Sequence, residues 1–519
     1  MTSLAELVRR CHERYGTERA LLTPTGWRRY SDVEKMASSC AGALAELGAG
    51  PGDRVVVAVE NRPELVALDH ALFGSGRVRV ALGARLRAPE VAAIVQDCQA
   101  RVLVCEPALA EVLRAEHGSA VGGVAVVTTT STPGAAASLE ELFARGGGGL
   151  DAAPDPDDAV AIMYTSGSTG DPKGAIVTDR AWVAMVAGLW AELPPIGPGD
   201  IVLHVAPMSH FSGSVGSAYT LRGAGVVTLA RYSPEEVLAL VERHRVSALP
   251  LVPTMLKEVA AVALRRRHDL SSIRAIPYGG AAIAPAALAS AYRAFGDVLY
   301  QFYGLSEALV PLSALSAREH ATREGAPPPA RLGSAGRPTP WVAVRIAGED
   351  GRALAPGEPG EIQVRGDVVT PGYWGRPAAS VEAFAGGWFR TGDLGRLDPE
   401  GYLHILDRCR DVIVTGGYTV YAAEVERAIE SLDAVAEVAV VGAPHERWGE
   451  AIVALVVRRP GHDLEAAEVI EACRAKLAAY KQPVSVEFVP ELPRTSTGKV
   501  SRRVLRERFW RDRARKVGE

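Results

Sequence analysis

Short, uninterrupted apolar runs recur through the first four-fifths of the chain, and no other feature constrains its fold as tightly. They are DRVVVAV (53–59), ARVLVCE (100–106), GVAVVTT (123–129), AVAIMYT (159–165), DIVLHVA (200–206) and GVVTLA (225–230). Alanine-rich stretches of helical period lie between several of them, as at 234–245 and 255–267. Strands that are apolar throughout, rather than alternating, belong to sheets covered on both faces. Alternation with helices makes those sheets largely parallel, an α/β architecture. The texture changes at Trp341, where WVAVRIA, GEIQVRG and GYLHILD are separated by the turn signals GEDG, PGEPG and DPEG. That pattern predicts a small antiparallel β unit. Beyond Asp407–Asp411 the sequence reads as a compact α+β domain, with a helix from about Ala423, strands at AEVAVVGA and AIVALVVR, and a helix over 465–478. Two segments, 145–158 and 323–333, are so rich in Gly, Pro and Asp that they read as surface linkers that do not pack.

A chain of 519 residues is too long for one compact core. Its net charge of −4 argues against a general nucleic-acid binder, which carries a basic excess. The six cysteines stand singly and form no CxxC pair, which points to neither a zinc site nor a disulfide framework. The opening MTSLAELVRRCHERYG is amphipathic rather than signal-like, and no apolar run reaches the roughly 20 residues of a membrane span. A reducing cytoplasm is the expected compartment.

One stretch is built for chemistry rather than packing. YTSGSTGDPKG (164–174) crowds glycines, hydroxyls and one lysine between two strands. Such a loop can aim backbone N–H groups at an anion, with Ser and Thr hydroxyls and the Lys173 ammonium as further donors. It lacks the spacing of a Walker A motif. A polyphosphate is its natural guest, and a plain surface hairpin is the other reading of the loop alone.

Six further motifs follow in order: PMSHFSG (207–213), YGGAAI (278–283), QFYGLSE (301–307), RTGDLG (390–395), DRCRDVIVTGGYTVYAAEVE (407–426) and LPRTSTGKVSR (492–502). With these the chain resembles the adenylate-forming superfamily of acyl- and aryl-CoA synthetases, peptide-synthetase adenylation domains and beetle luciferases. The resemblance implies a large N-terminal domain over 1–406, a hinge at 407–411 turning on Arg410, and a mobile C-terminal lid over 412–519. It implies a two-step reaction: a carboxylate attacks the α-phosphate of ATP, releasing pyrophosphate, and the thiol of CoA then displaces AMP.

The resemblance also implies residue roles. Thr165, Ser166, Gly167, Ser168, Thr169, Gly170 and Lys173 would hold phosphates. Gly280, Ala281 and Ala282 would pass the adenine edge, with Gln301, Tyr303, Gly304 and Ser306 beside them and Tyr303 stacked on the base. Glu307 would hold Mg2+. RTGDLG would be a ribose-binding turn, with Asp393 and Arg408 at the ribose. Lys499 would be the main catalytic cation, joined in the catalytic set by Glu307, Thr165 and His210. Gly416 and Gly417 would line a pantetheine tunnel. The acyl pocket would be walled by His210, Phe211, Ser212, Val215, Tyr278, Gly279, Leu305 and Leu309. This wall carries no Asp to receive an amino group and suits an aryl or medium-chain acid, aryl first. The partners implied are a small carboxylic acid and CoA or a separate carrier protein, with a homodimer left open. A non-thiol acceptor, an amine or nitrite, is the more distant alternative. The chain departs from the family pattern at Asp179, Asp407, Thr419 and Ala422. The arginines after Lys499 (Arg502, Arg503, Arg506, Arg508) read as a solvated helical face rather than a CoA-phosphate site.

Overall fold

The computed structural model describes residues 2–165, 173–323, 325–416, 418–494 and 500–511. They form two compact units, one of Met1–Val344 with Val364–Thr391, the other of Arg345–Gln363 with Gly392–Glu519. The segment 407–411, where the sequence suggests a hinge, lies inside the second unit.

In the first unit the expected strands assemble mainly as parallel sheets. A seven-stranded sheet runs in the order Ala137–Ser138, Ala125–Thr128, Val102–Cys105, Arg54–Ala58, Val78–Ala81, Ala159–Thr165, Lys173–Thr178. Its pairs are parallel except the last, a hairpin. Val55, Val56, Val102, Leu103 and Val104 are wholly buried, as strands covered on both faces require. A second sheet places Ile201–His204 and Gly225–Thr228 beside two strands absent from the sequence reading, Arg19–Thr23 and Gly26–Arg29. Those two mix arginine with apolar residues because they form an antiparallel edge with one exposed face. A third sheet carries Ile276–Gly279 parallel to Leu299–Tyr303, then Ser313–Leu315 and Arg337–Pro338.

The segment 145–158 is a correction to the linker reading. It lies at the surface but is docked on the helix Tyr30–Glu46: Gly148 N–H donates to Ser38 O (2.7 Å) and Ser38 Oγ donates to Gly148 O (2.8 Å). A Cβ on Gly148 would stand 2.5 Å from the Gly42 nitrogen, so the glycines permit backbone-to-backbone contact that any side chain would prevent. The second segment, 323–333, is largely exposed but is pinned by the buried Leu332.

Asp179, one of the departures noted above, is buried and accepts the Leu4 N–H at the start of the helix Leu4–Tyr15 (2.8 Å). It is a structural tie between the N-terminal helix and the hairpin strand Lys173–Thr178.

In the second unit Gly449–Arg458 is central to a five-stranded sheet, between Val435–His445 and Ile413–Thr415, with Ser485–Phe488 beside it and Tyr418–Val420 at the edge. Helices Ala422–Glu430, Ala466–Arg474 and Arg502–Trp510 accompany it. Val425, Ile429, Val440, Ile452, Val456 and Val469 form its core. The helix expected over 465–478 ends at Arg474.

Four histidines of the first unit are buried. His12 Nε2 and His70 Nδ1 lie 2.9 Å apart, His204 Nδ1 meets Ser212 Oγ (2.7 Å), and His320 Nε2 meets Tyr278 Oη (2.7 Å). Burial holds His12, His204 and His320 down at about 4, and His70 well below its ordinary value. The unfolded chain takes up these protons near pH 6.5 and the native chain does not. Their contribution is therefore complete above about pH 6.5 and is lost as the pH falls towards 4. His12, His204 and His320 are each worth up to about 3 kcal/mol over that window. The thermal midpoint of the first unit should fall steadily between pH 6.5 and 4, and His320→Gln should flatten that slope. Separately, Gly148→Val should destabilise by about 1–3 kcal/mol through overpacking. Gly123→Ala, where nothing lies within 4 Å of the added Cβ, should leave the denaturation midpoint nearly unchanged.

Candidate active site

The hairpin holds the glycine-rich loop by its ends. Tyr164 pairs with Gly174 and Thr165 with Lys173, so the two ends of the loop are held at one fixed separation. Ser166, Gly167, Ser168, Thr169 and Gly170 lie outside the described residues, as do Gly417 and Lys499. Of Thr165 and Arg410 only the backbone is described. On the strand before the loop, Tyr164 Oη donates to Asp97 (2.6 Å), whose other oxygen accepts from Arg376 (2.8 Å).

The ends of two parallel strands supply the next wall. Register puts Tyr278 beside Gln301 and Gly279 beside Phe302. Ligands in α/β sheets bind beyond such carboxyl ends. Gly280, Ala281 and Ala282 follow, exposed. A Cβ on Gly279 would stand 3.6 Å from Phe211 Cε2, so the phenyl ring of Phe211 lies over a bare backbone floor. His210 and Phe211 are half-buried at the start of the helix Phe211–Thr220, and Ser209 Oγ lies 2.7 Å from His210 Nδ1. Ser212 and Val215 face the core, and the Ser212 hydroxyl is engaged by His204. The Tyr278 hydroxyl is engaged as well. His320 Nδ1 donates to Ser316 O (2.8 Å), which leaves Nε2 to accept from Tyr278 Oη, and the Gln301 amide lies 3.1 Å from the same phenol. His320 was not singled out from the sequence. Only its distance of 42 residues from Tyr278 separates it from notice.

After Tyr303, a tight turn returns at Leu305 N–H to Ala308 O (2.8 Å), and Gly304 is overlain by Val310. Ser306 and Glu307 are half-buried on this turn, and Tyr303 and Leu309 are buried. A segment that the sequence reading passed over, VVTPGYWGR (368–376), is laid against both Glu307 and the hairpin. Thr370 N–H donates to Glu307 O (2.8 Å), Ile176 N–H to Gly372 O (3.0 Å) and Trp374 N–H to Gly174 O (2.8 Å). Tyr373 Oη donates to Glu307 Oε1 (3.3 Å), and the Lys173 ammonium sits 5.5 Å from the centre of the Tyr373 ring. Burial raises the phenol's pKa, and the Glu307 carboxylate raises it further. The signal in the sequence was the Pro-Gly-Tyr-Trp-Gly cluster, an unusual run inside an otherwise β-like region.

RTGDLG is a correction: it is no turn but part of the strand Trp388–Leu397, and from Asp393 on, in the second unit, Leu403–Arg408 supplies its pairing partners. Asp393 and Arg408 stand opposite one another in that ladder, joined at 2.7 Å, with the carboxylate almost wholly buried. Gly416 is exposed, its N–H donating to Trp448 O (2.9 Å). Asp407 is buried, accepting from Arg408 N–H (2.8 Å) and, as a cap on the helix Ala422–Glu430, from Ala423 N–H (3.3 Å). The arginine-rich end is not uniformly solvated, which corrects the sequence reading. Arg502 bonds Glu426 (2.5 Å) and approaches Asp411 (3.6 Å) and Asp407 (3.9 Å), while Arg506 reaches Asp411 (3.6 Å). Burial opposes the Arg502 charge, but those carboxylates outweigh it and hold its pKa above the usual arginine value. Arg503 and Arg508 remain at the surface, paired with Glu507 and Glu487.

A groove of about 960 Å3 elsewhere in the first unit is lined by Arg19, Trp27, Asp200, Arg245 and Arg274, and contains none of these site residues. Arg274 pairs with Asp200, Arg245 with Asp269, and Arg19 lies over the Trp27 ring. No helix among the described residues is long and apolar enough to cross a membrane.

Known proteins share this organisation. The profile of the AMP-binding enzyme family matches residues 8–374, and that of the AMP-binding enzyme C-terminal domain matches 424–499. A feruloyl-CoA synthase of Amycolatopsis sp is 36% identical over 490 residues, 92% of this chain and 94% of that protein. The long-chain-fatty-acid–CoA ligase FadD13 of Mycobacterium tuberculosis is 35% identical over 487 residues, 92% of this chain and 93% of that protein. Among solved structures, the amide bond synthetase McbA from Marinactinospora thermotolerans superimposes with a TM-score of 0.86 at 30% identity, covering 98% of this chain and 100% of that one. An o-succinylbenzoate CoA synthetase from Bacillus subtilis, in complex with its acyl-adenylate intermediate, gives 0.84 at 28% identity with both chains covered in full. With both profiles matched in order and relatives alike over nearly their whole length, the chain belongs to the AMP-binding enzyme family, the adenylate-forming enzymes.

Proposed function

We propose that the protein is an AMP-forming acid–thiol ligase that activates an aryl carboxylic acid with ATP and passes the acyl group to CoA. The observation that carries this reading is the shared contact of Tyr373 with Lys173 and Glu307, beside the gap from which the glycine-rich loop leaves its hairpin. A cation and a carboxylate at the mouth of an amide-rich loop suit a polyphosphate with its metal.

The donor set fits Mg2+. Glu307 offers hard oxygens, and no cluster of three or more His, Cys, Asp or Glu side chains competes for a metal among the described residues. Mg2+ is commonly held by one or two carboxylates together with substrate phosphates. When bound it would neutralise charge on the phosphates. Lys173 and the loop from Thr165 through Ser166, Gly167, Ser168, Thr169 and Gly170 orient the phosphates, Tyr303 and Gly280–Ala282 receive adenine, and Asp393 and Arg408 bind the ribose. The acid's carboxylate attacks the α-phosphorus, the α–β bridging bond breaks, and pyrophosphate leaves with the bond's electrons. Lys499 meets the negative charge gathering between nucleophile and phosphate, the electrostatic role from which most such catalysis derives. The thiolate of CoA then attacks the acyl carbon and AMP leaves. Rotation about Arg410 would withdraw Lys499 before that step, and Gly416 and Gly417 would border the pantetheine arm.

For the acid, the half-buried Phe211 ring, packed against Gly279, suits stacking by a flat ring. Feruloyl- and indoleacetate-acting relatives support the aryl choice, while the fatty-acid ligases keep medium chains in view. The likeness to an amide bond synthetase favours, as a second reading, an amine in place of the thiol. A relative named fatty acid–[acyl-carrier-protein] ligase keeps a carrier-bound thiol as the other acceptor.

Pyrophosphate release measured across a panel of acids should be acid-dependent and fastest with aryl acids; mass detection with CoA, a carrier protein or an amine added in turn identifies the acceptor. Release that ignores every acid would refute the proposal. Lys499→Ala should slow pyrophosphate release by about 100-fold or more, the scale of losing a transition-state charge stabiliser. It should leave thioester formation from supplied acyl-adenylate within a few-fold, and equal loss in both halves would contradict the role given to Lys499.

A further inference from the structure

We propose that Tyr373 is a positioning residue of the phosphate site, orienting the Glu307 carboxylate with its hydroxyl and the Lys173 ammonium with its ring. The inference rests on the roles proposed above for Glu307 and Lys173, and it adds a residue that none of the sequence motifs contains.

The phenol can orient others because its own position is over-determined. Its backbone N–H donates to Ser380 Oγ (2.9 Å), and Ser380 Oγ in turn donates to Arg376 O (2.8 Å). Ala175 and Tyr373 face each other in an antiparallel bridge, flanked by the Ile176–Gly372 and Trp374–Gly174 bonds. Gly372 has φ +151°, and a Cβ there would stand 2.6 Å from Ser380 Oγ, so the chain takes this path only with glycine. Thr370 Oγ1 closes the corner against Ile176 O and Gly372 O, both at 2.7 Å. At the far side Val368 O accepts Leu309 N–H (3.0 Å), and Ala308 bridges Val369. The segment therefore ties the strand that follows the loop to the turn that carries Glu307, with Tyr373 at the crossing.

Glutamate and lysine are long, flexible side chains whose heads wander unless something local orients them. A hydroxyl donor to Glu307 selects among its rotamers, and an aromatic face attracts the Lys173 ammonium. Being neutral, the phenol orients both without cancelling the charge of either. A charged side chain at this position would compete with the nucleotide for one of them.

Two substitutions separate the contacts: Tyr373→Phe removes the hydroxyl and keeps the ring, and Tyr373→Leu removes both. ATP affinity is measured by calorimetry on the full chain, once with Mg2+ and once in EDTA, alongside the thermal midpoint. Tyr373→Phe should weaken binding with Mg2+ by about tenfold, the scale of one hydrogen bond to a charged group, and leave binding in EDTA within about twofold. Tyr373→Leu should also weaken binding in EDTA, by about two- to fivefold for the lost cation–π contact. Thermal midpoints should stay within a few degrees of the unaltered chain. Tyr373→Phe binding as tightly as the unaltered chain with Mg2+, or losing affinity equally in both conditions, overturns the proposal. So does a falling midpoint that accounts for the loss. An unaltered chain that binds no ATP in either condition overturns instead the reading of the site on which the proposal stands.

Discussion

The backbone ladder between residues 370–374 and 174–176 is the constraint on which the proposed phosphate site of the first unit depends. Under the proposed reading the glycine-rich loop gives its amide N–H groups to an anion and cannot use them to hold itself together, so its ends must be fixed from outside. One end belongs to Ala159–Thr165, which pairs with Val78–Ala81 inside the parallel sheet. The other end, Lys173–Thr178, is the sheet's edge strand, with unsatisfied backbone groups along its free side. The 370–374 segment covers that edge with Ile176 N–H to Gly372 O and Trp374 N–H to Gly174 O. Satisfying the edge and locating Glu307 are thus the same structural act, since Thr370 N–H also holds Glu307 O.

The buried polar groups obey a related rule. Asp179, Asp407 and Tyr278 are each kept neutral or given backbone donors, because a buried unpaired charge would cost more than the fold can spare. Asp179 and Asp407, which depart from the family's usual residues, fill their positions by accepting backbone N–H groups from Leu4, and from Arg408 and Ala423. Burial raises the pKa of both carboxyls, and those same N–H groups, together with Arg502 for Asp407, pull it back down. The departures therefore read as structural exchanges that leave the adenylation residues intact. Tyr278 follows the same logic: a phenol wholly buried at the end of its strand needs an acceptor, and His320, its tautomer set by Ser316 O, provides one.

Much of the fold was legible because parallel strands buried on both faces announce themselves as apolar runs, as RVVVA and VLVC do. The edge strand GWRR does not: its arginines are exposed, and no local pattern distinguishes it, or the short neighbouring RALLT, from a loop. Glycine misled in two places for opposite reasons. In 145–158 it signalled a linker, where in fact it allows two backbones to touch at Gly42 and Gly148. In RTGDLG it signalled a turn, where the pairing strand Leu403–Arg408 supplies partners that the sequence alone cannot show. Of the site, the residues within motifs could be named, whereas Tyr373 and His320 act across 66 and 42 residues of chain and acquire meaning only when the fold brings them to Glu307 and Tyr278.

The second unit shows why the arginines after Lys499 should not be counted as charge available to CoA. Arg502 is engaged with Glu426 and lies within reach of Asp411 and Asp407, and Arg506 also meets Asp411. A partly buried guanidinium among three carboxylates is held by them, and moving it to a phosphate would strand those carboxylates. Its position has a mechanical consequence instead. Arg502 opens the helix Arg502–Trp510 three residues after Lys499, and its partners Asp407 and Asp411 bracket Arg410. The start of this helix is thereby fastened by ion pairs to residues on either side of Arg410.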